Sequence, residues 1–266
     1  MVMPIDLVFV RHGQSEANVV QKIEKSRTGE TVPEAFYQRH DSLMRLTELG
    51  VFQAQAAGDW LRANNFADFD YHYVSPHLRA CETAANLKLN AEWRVDDRWR
   101  ERDWGHYGML TPEQKHDRYP EVAESRELSE WYWHPPGGES LATGVRSRFE
   151  DILDTLHREV QGQPVIAVTH GETIRVAQFI LERHTPATWE IMDGSENFKV
   201  NNCQILHYSR RNPETGEIAN RLNWMRSICP WDETKSWANG EWAELQYKTF
   251  SDAELLEGVE IYDRLF

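Results

Sequence analysis

Two short apolar runs end in the same abrupt way. Ile5-Asp6-Leu7-Val8-Phe9-Val10 stops at Arg11-His12-Gly13, and Pro164-Val165-Ile166-Ala167-Val168-Thr169 stops at His170-Gly171. Runs this short and this apolar suit strands covered on both faces. Tyr71-His72-Tyr73-Val74, stopped by Ser75-Pro76, reads as a third strand. Cys203-Gln204-Ile205-Leu206-His207-Tyr208 alternates weakly and reads as a late one.

Helical periodicity fills the gaps. Leu49, Phe52, Ala56 and Trp60 recur at helical spacing, with Thr47 as the N-cap. Val145, Phe149, Ile152, Leu156 and Val160 mark an amphipathic helix after the Pro135-Pro136-Gly137-Gly138 breaker, capped by Ser140. A further helix follows Glu172 through Ile174, Ala177, Gln178 and Leu181. Strands alternating with helices give an α/β fold class: a three-layer αβα sandwich with a mostly parallel central sheet. Residues 19–45 and 106–139 fit this core poorly and read as cap insertions over one rim of the sheet. After Tyr208, Trp224, Trp231, Trp237 and Trp242 are too many tryptophans for a disordered tail. We therefore expect one domain over 1–266, with a core of about 5–208 and a C-terminal extension, 209–266, packed on it or on a second subunit as a homodimer.

Composition narrows the function. The 266-residue chain carries a net charge of −14, which argues against nucleic acid as the main partner but leaves room for a small anion in a locally basic cleft. No apolar stretch approaches the roughly 20 residues of a membrane span. The start of the chain lacks the features of a signal peptide, and the three scattered cysteines form no CxxC pair. The expected compartment is the cytoplasm. The 11 histidines include no HExxH set, so neither a metal nor another cofactor is expected.

Open α/β sheets bind ligands beyond the carboxyl ends of their strands. There the first strand delivers Arg11 and His12, the second leads to Arg79, and the last delivers His170. Two arginines and two histidines make a site for a dianion, because guanidinium forks match phosphate oxygens and imidazole can attack or donate.

Arg11-His12-Gly13-Gln14-Ser15-Glu16-Ala17-Asn18 resembles the RHG(E/Q)SxxN signature of the histidine phosphatase superfamily, in its phosphoglycerate mutase-like branch. Ser75-Pro76-His77-Leu78-Arg79-Ala80 is similar to its SPxxRA segment, Arg100-Glu101-Arg102-Asp103-Trp104-Gly105 to its ERxxG segment, and Thr169-His170-Gly171 to its (S/T)HG segment. The four motifs occur in the family's order and span about residues 5–208. The resemblance implies a phosphoglycerate mutase-like fold and a metal-independent phosphomonoester hydrolase that acts on a small phosphorylated metabolite. His12 would form the phosphohistidine. Arg11, Arg79 and His170 would hold the phosphoryl oxygens, His170 as a cation, and Asn18 would support the pocket. Glu101 would be the general acid and base. Glu172, next to His170-Gly171, is the alternative acid and otherwise a first-turn helix residue. Ser15, His40, Glu172 and Thr173 are candidates for substrate contact.

Two other functions stay open. A mutase needs a clamp for the substrate carboxylate. The Arg-Arg pair that serves in mutases of the family is missing after Glu101, where Trp131-Tyr132-Trp133 stands, although Lys115 and Arg118 are available. A non-catalytic phospho-ligand module is disfavoured because Arg11, His12, Arg79, Glu101 and His170 are all present.

Overall fold

The computed structural model describes residues 2–26, 30–193, 195 and 198–266, so positions 27–29 of the first cap insertion lie outside the described residues. The chain opens with strand β1 (Asp6–Arg11), then helices α1 (Glu16–Ser26) and α2 (Glu34–Tyr37), a 3-10 turn (Asp41–Leu43) and helix α3 (Glu48–Ala63). Strand β2 (Tyr71–Val74), helix α4 (Leu78–Asn86) and the short strand β3 (Arg94–Val95) follow. The second insertion carries helices α5 (Pro112–Arg118) and α6 (Pro120–Leu128). Helix α7 (Arg146–Glu159), strand β4 (Val165–Thr169), helix α8 (Gly171–Leu181) and helix α9 (Pro186–Asp193) come next. Strands β5 (Ile205–Ser209), β6 (Trp224–Ile228) and β7 (Ala243–Glu244) precede the last helix, α10 (Asp252–Glu260).

The seven strands form one sheet in the order β3-β2-β4-β1-β5-β6-β7. The half β3-β2-β4-β1 is parallel. Strands β5, β6 and β7 each add antiparallel to their neighbour. Period-two alternation sorts the strands' side chains onto two faces. Leu7, Phe9, Val165, Ala167 and Leu206 pack with Phe149, Ile152, Ile174 and Ala177 of α7 and α8. Val8, Val10, Ile166, Val168 and Ile205 pack with Ala54, Ala57, Ala80 and Ala84 of α3 and α4. Both faces are dry, which is why these strands read as unbroken apolar runs.

The structure departs from the sequence reading in three places. First, α3 is capped by Thr47, whose Oγ1 accepts from Gly50 N, but its buried residues are Gly50, Gln53, Ala54, Ala57, Gly58 and Leu61. Leu49 and Phe52, placed on the inner stripe by periodicity, are 43% and 58% exposed. The helix turns its small side because Gly50 meets the backbone of Gly13 and Gln14 directly, and a Cβ on Gly50 would run into the Gln14 carbonyl. Second, the stretch read as the first cap insertion begins inside a helix, since residues 19–26 belong to α1, where only Val20 is buried. Third, the C-terminal extension divides. Residues 224–228 and 243–244 continue the sheet, Trp231 donates Nε1–H to Asn202 O at 2.6 Å, and Trp242 meets His207 edge-on at 4.7 Å. Residues 248–266, by contrast, are exposed throughout, because α10 buries no side chain. Among the described residues no helix is long and apolar enough to cross a membrane.

The packing of α3 makes a paired prediction. Gly50→Ala forces a methyl group into backbone and should cost about 2–3 kcal/mol in urea unfolding. Phe52→Ser, on the exposed side, should stay within about 0.5 kcal/mol of the parent. Equal losses would mean that α3 packs on its large apolar residues after all.

Candidate active site

The site is built where β1, β4 and β2 end side by side. Arg11 lies opposite Thr169, and Val74 opposite Val168, so the three strands stop at one level. His12 and His170 are the residues that follow β1 and β4. Their rings meet edge-on with centroids 5.1 Å apart, and both are buried. His12 N donates to Thr169 O at 2.9 Å, which ties the turn after β1 to β4.

His12 Nδ1 lies 2.7 Å from Gly13 O. A carbonyl only accepts, so Nδ1 carries the proton and Nε2 holds the free lone pair. Burial, with help from the Arg79 and Arg11 charges, holds the imidazole well below its usual range. The ring is therefore neutral near pH 7 with an unprotonated Nε2, the form a nucleophile needs. Asn202 donates to His12 O at 3.0 Å and to Asn18 Oδ1 at 3.0 Å. Asn18 Oδ1 also accepts from Ser15 N at 3.2 Å, so Asn18 and Ser15 brace the turn that carries His12.

Arg11 donates Nη1 to Val200 O at 2.5 Å, and its buried Nε has no hydrogen-bond partner. Arg79 leaves the first turn of α4 and is 3% exposed. His170 shares a hydrogen bond of 2.7 Å with Ser75 Oγ, while its Nδ1 has no partner. The resemblance implied a His170 that is cationic beside the phosphate. Burial, with Arg79 and His12 close by, holds the ring itself well below the usual imidazole range, so it is neutral without that anion's charge.

Glu101 sits in the loop after Trp99, and its placement is enforced by its neighbours. Thr169 Oγ1 donates to Trp99 O at 2.6 Å, and Thr173 Oγ1 donates to Arg100 O at 2.8 Å. The fully buried Arg102 side chain donates to Glu139 O, Glu130 Oε1 and Trp133 O at 2.9, 2.6 and 2.7 Å. Burial pushes the Glu101 carboxyl above the ordinary range, against the pull of Arg79 and Arg11. Glu172, at the start of α8, is pushed up to about 7 by burial and by the like charge of Glu101, and its Oε2 has no hydrogen-bond partner. Both carboxyls are thus poised to hold a proton where a carboxylate usually would not.

Above this floor lies a cleft of about 600 Å³. Both cap insertions wall it, Phe36, Tyr37 and Asp41 from the first and Tyr107, Leu110 and Lys115 from the second, with Trp104 beside them. Arg11, His12, Ser15, Asn18, Arg79, Glu101 and Glu172 face it together. Two candidates for substrate contact do not. Thr173 is turned onto the Arg100 carbonyl, and the exposed His40 folds its Nδ1 back on Ser42 in the 3-10 turn, leaving the cleft to Asp41. Trp131 stacks on Phe179 at 4.0 Å and Trp133 is buried, so both pack inside the protein, while Tyr132 is exposed.

Several residues of the site were missed by the motif reading. Ser75 and His77 stand inside the Ser-Pro-His-Leu-Arg segment, and His77 lies edge-on to His170 at 4.8 Å. Burial and Arg79 push His77 down to about 4. That segment was a signal that could have found both. Asp41 and Asn202 come from stretches with no motif at all.

Residues 7–220 match the family model of the histidine phosphatase superfamily (branch 1). The chain is 31% identical over 188 residues to a 2,3-bisphosphoglycerate-dependent phosphoglycerate mutase of Methylorubrum populi, covering 68% of this chain and 81% of that one. It resembles the structure of a mycobacterial glucosyl-3-phosphoglycerate phosphatase solved with VO3, with a TM-score of 0.58 at 26% identity over 82% of this chain and 97% of that one. The α-ribazole phosphatase of Shigella flexneri shares the fold, with a TM-score of 0.61 at 18% identity over 82% of this chain and 96% of that one. The matched span of 214 residues contains all four motifs and every residue of the cleft floor, and the chain belongs to branch 1 of the histidine phosphatase superfamily.

Proposed function

We propose that the protein hydrolyses a small phosphomonoester through a phosphohistidine on His12, without a metal. The observation that carries this reading is the fixed tautomer of His12, a neutral ring with its Nε2 free and within reach of the Arg79 and Arg11 charges. Nε2 attacks phosphorus as the bond to the leaving oxygen breaks, and Glu101 gives that oxygen its proton. Arg11, Arg79 and His170 take the charge that builds on the transferred oxygens. Water then bonds to phosphorus, its proton goes to Glu101, and the P–N bond breaks to return His12. Asn18 and Ser15 hold the nucleophile's turn, and Glu172 meets the substrate beside Glu101. The glucosyl-3-phosphoglycerate phosphatase likeness favours hydrolysis, and a phosphorylated sugar or sugar acid suits the aromatic walls of the cleft.

The mutase relatives support a second reading, phosphoryl transfer between positions of phosphoglycerate. Lys115, half-buried on the cleft wall with its Nζ 5.9 Å from the Tyr107 ring centroid, is the group that would meet the carboxylate. Arg118, the other cation available for that task, does not line the cleft. Phosphate release from a panel of phosphomonoesters, with chelator present, beside an assay for 3- to 2-phosphoglycerate conversion, separates the two. Isomerisation without release would replace hydrolysis by mutase chemistry. Binding of phosphate with neither activity would make the protein a non-catalytic phospho-ligand module.

Three outcomes follow from the proposed roles. His12→Ala should abolish turnover with an unchanged thermal melt, and more than a trace of activity would remove His12 as nucleophile. Glu101→Gln should slow substrates with alkoxide leaving groups far more than 4-nitrophenyl phosphate, whose leaving group needs no proton. Equal loss on both would point to Glu172 as the acid. The third outcome concerns pH. A raised carboxyl stays protonated, and so able to donate, up to its shifted value and loses that form as pH rises through it. The kcat/KM of an alkyl phosphate should therefore fall on the alkaline side as Glu101 loses its proton, at a pH above the ordinary carboxylate range. In Glu172→Gln, with the like charge gone, that limb should move to lower pH. A limb at the same pH in both proteins would uncouple Glu172 from the acid.

A further inference from the structure

Arg79 is held by a single residue of the cleft wall. Its Nη1 donates to the main-chain carbonyl of Asp41 at 2.6 Å, and its Nη2 donates to Asp41 Oδ2 at 2.8 Å. One residue thus grips both arms of the fork, one with its backbone and one with its side chain. The same Oδ2 lies 3.6 Å from Nδ1 of His77, a buried nitrogen that makes no hydrogen bond. The Asp41 charge also reaches Glu101, where it opposes the pull of the arginines. Asp41 comes from the first cap insertion, at the head of the 3-10 turn, and its side chain is 31% exposed while that of Arg79 is 4% exposed. A half-exposed carboxylate from the cap therefore reaches down to a buried cation on the floor.

We infer that Asp41 is a positioning residue: it orients the Arg79 guanidinium toward the phosphoryl site and ties the first cap insertion to that site. The inference rests on the reading of Arg79 as a phosphate ligand. A buried guanidinium has five N–H groups on a long flexible stem, and its remaining donors point in a defined direction only if some of them are anchored. The grip uses one N–H of each terminal nitrogen, so three N–H groups of the guanidinium are left outside it. The carboxylate also stabilises the buried charge, a partner that an unpaired arginine there would lack.

The alternative is a competitor. Asp41 would then hold Arg79 away from the phosphoryl oxygens, and its removal would tighten binding. Calorimetric titration of the whole protein with inorganic phosphate, beside turnover of 4-nitrophenyl phosphate, decides between them. Asp41→Ala should weaken phosphate binding and lower kcat/KM by roughly ten- to a hundredfold, the usual effect of losing a charge-assisted hydrogen bond. Asp41→Asn keeps the carbonyl grip and a side-chain acceptor and should recover most of that loss. Arg79→Lys breaks the fork, and adding Asp41→Ala to it should cost little more, because both changes act on one interaction. Tighter phosphate binding in Asp41→Ala would overturn the inference in favour of competition. Additive losses with a lowered melting temperature would overturn it in favour of simple cap support. Phosphate binding is read without turnover, so an inactive parent that binds phosphate would refute the hydrolase reading while leaving this one testable.

Discussion

One register decides the site. With Arg11 of β1 opposite Thr169 of β4, the two strands run out together and their next residues are both histidines. A slip by two residues would keep every side chain on its face of the sheet yet move one imidazole away from the other by about 7 Å. The register is held by the dry packing of Val8, Val10, Ile166 and Val168 on one face and Leu7, Phe9, Val165 and Ala167 on the other. The hydrophobic core and the chemistry are thus set by the same ladder.

Charge in the cleft runs against charge in the chain. The protein as a whole carries −14, yet the floor of its cleft holds the partly buried Arg11 and the buried Arg79. Burial sets the protonation of their neighbours and the two cations modify it. Arg79 opposes charge on both His12 and His170, and Arg11 opposes it on His12. They pull Glu101 toward ionisation, but burial prevails. The result is a neutral base beside a protonatable acid, the pairing that two-step group transfer requires.

The floor of the site was legible because each of its parts lies in a contiguous segment with its own chemistry. Arg11, His12, Arg79, Glu101 and His170 all follow strands or motifs that a reader can find in one line of sequence. What could not be read depends on distant contacts. Asp41 meets Arg79 from 38 positions away, and Asn202 meets His12 from 190. Thr173 looked like a cleft residue because it follows His170 closely, but one helical turn rotates it onto the Arg100 carbonyl. The inner face of α3 was misread for a related reason. Periodicity rewards large apolar residues, whereas the close approach of Gly50 to the Gln14 backbone selects the small ones. The exposed stretch 248–266 carries a capping box at Ser251 and Glu254, so its helix is specified locally without any partner in the fold.

The floor of the site carries its positive charge on Arg11 and Arg79 and not on its imidazoles, and this has a consequence for binding. His170 and His77 are both held neutral by burial and by Arg79. Each has a buried Nδ1 with no hydrogen-bond partner, so each has a donor or acceptor position in reserve. A phosphate dianion on the floor would cancel much of the arginine charge and favour the charged form of the nearest imidazole. The cationic His170 expected beside phosphate and the neutral His170 held by burial are then two ends of one equilibrium, displaced by the ligand. Proton uptake on binding would strengthen the grip on the dianion only once it has arrived, because a third buried positive charge beside Arg11 and Arg79 is costly without it.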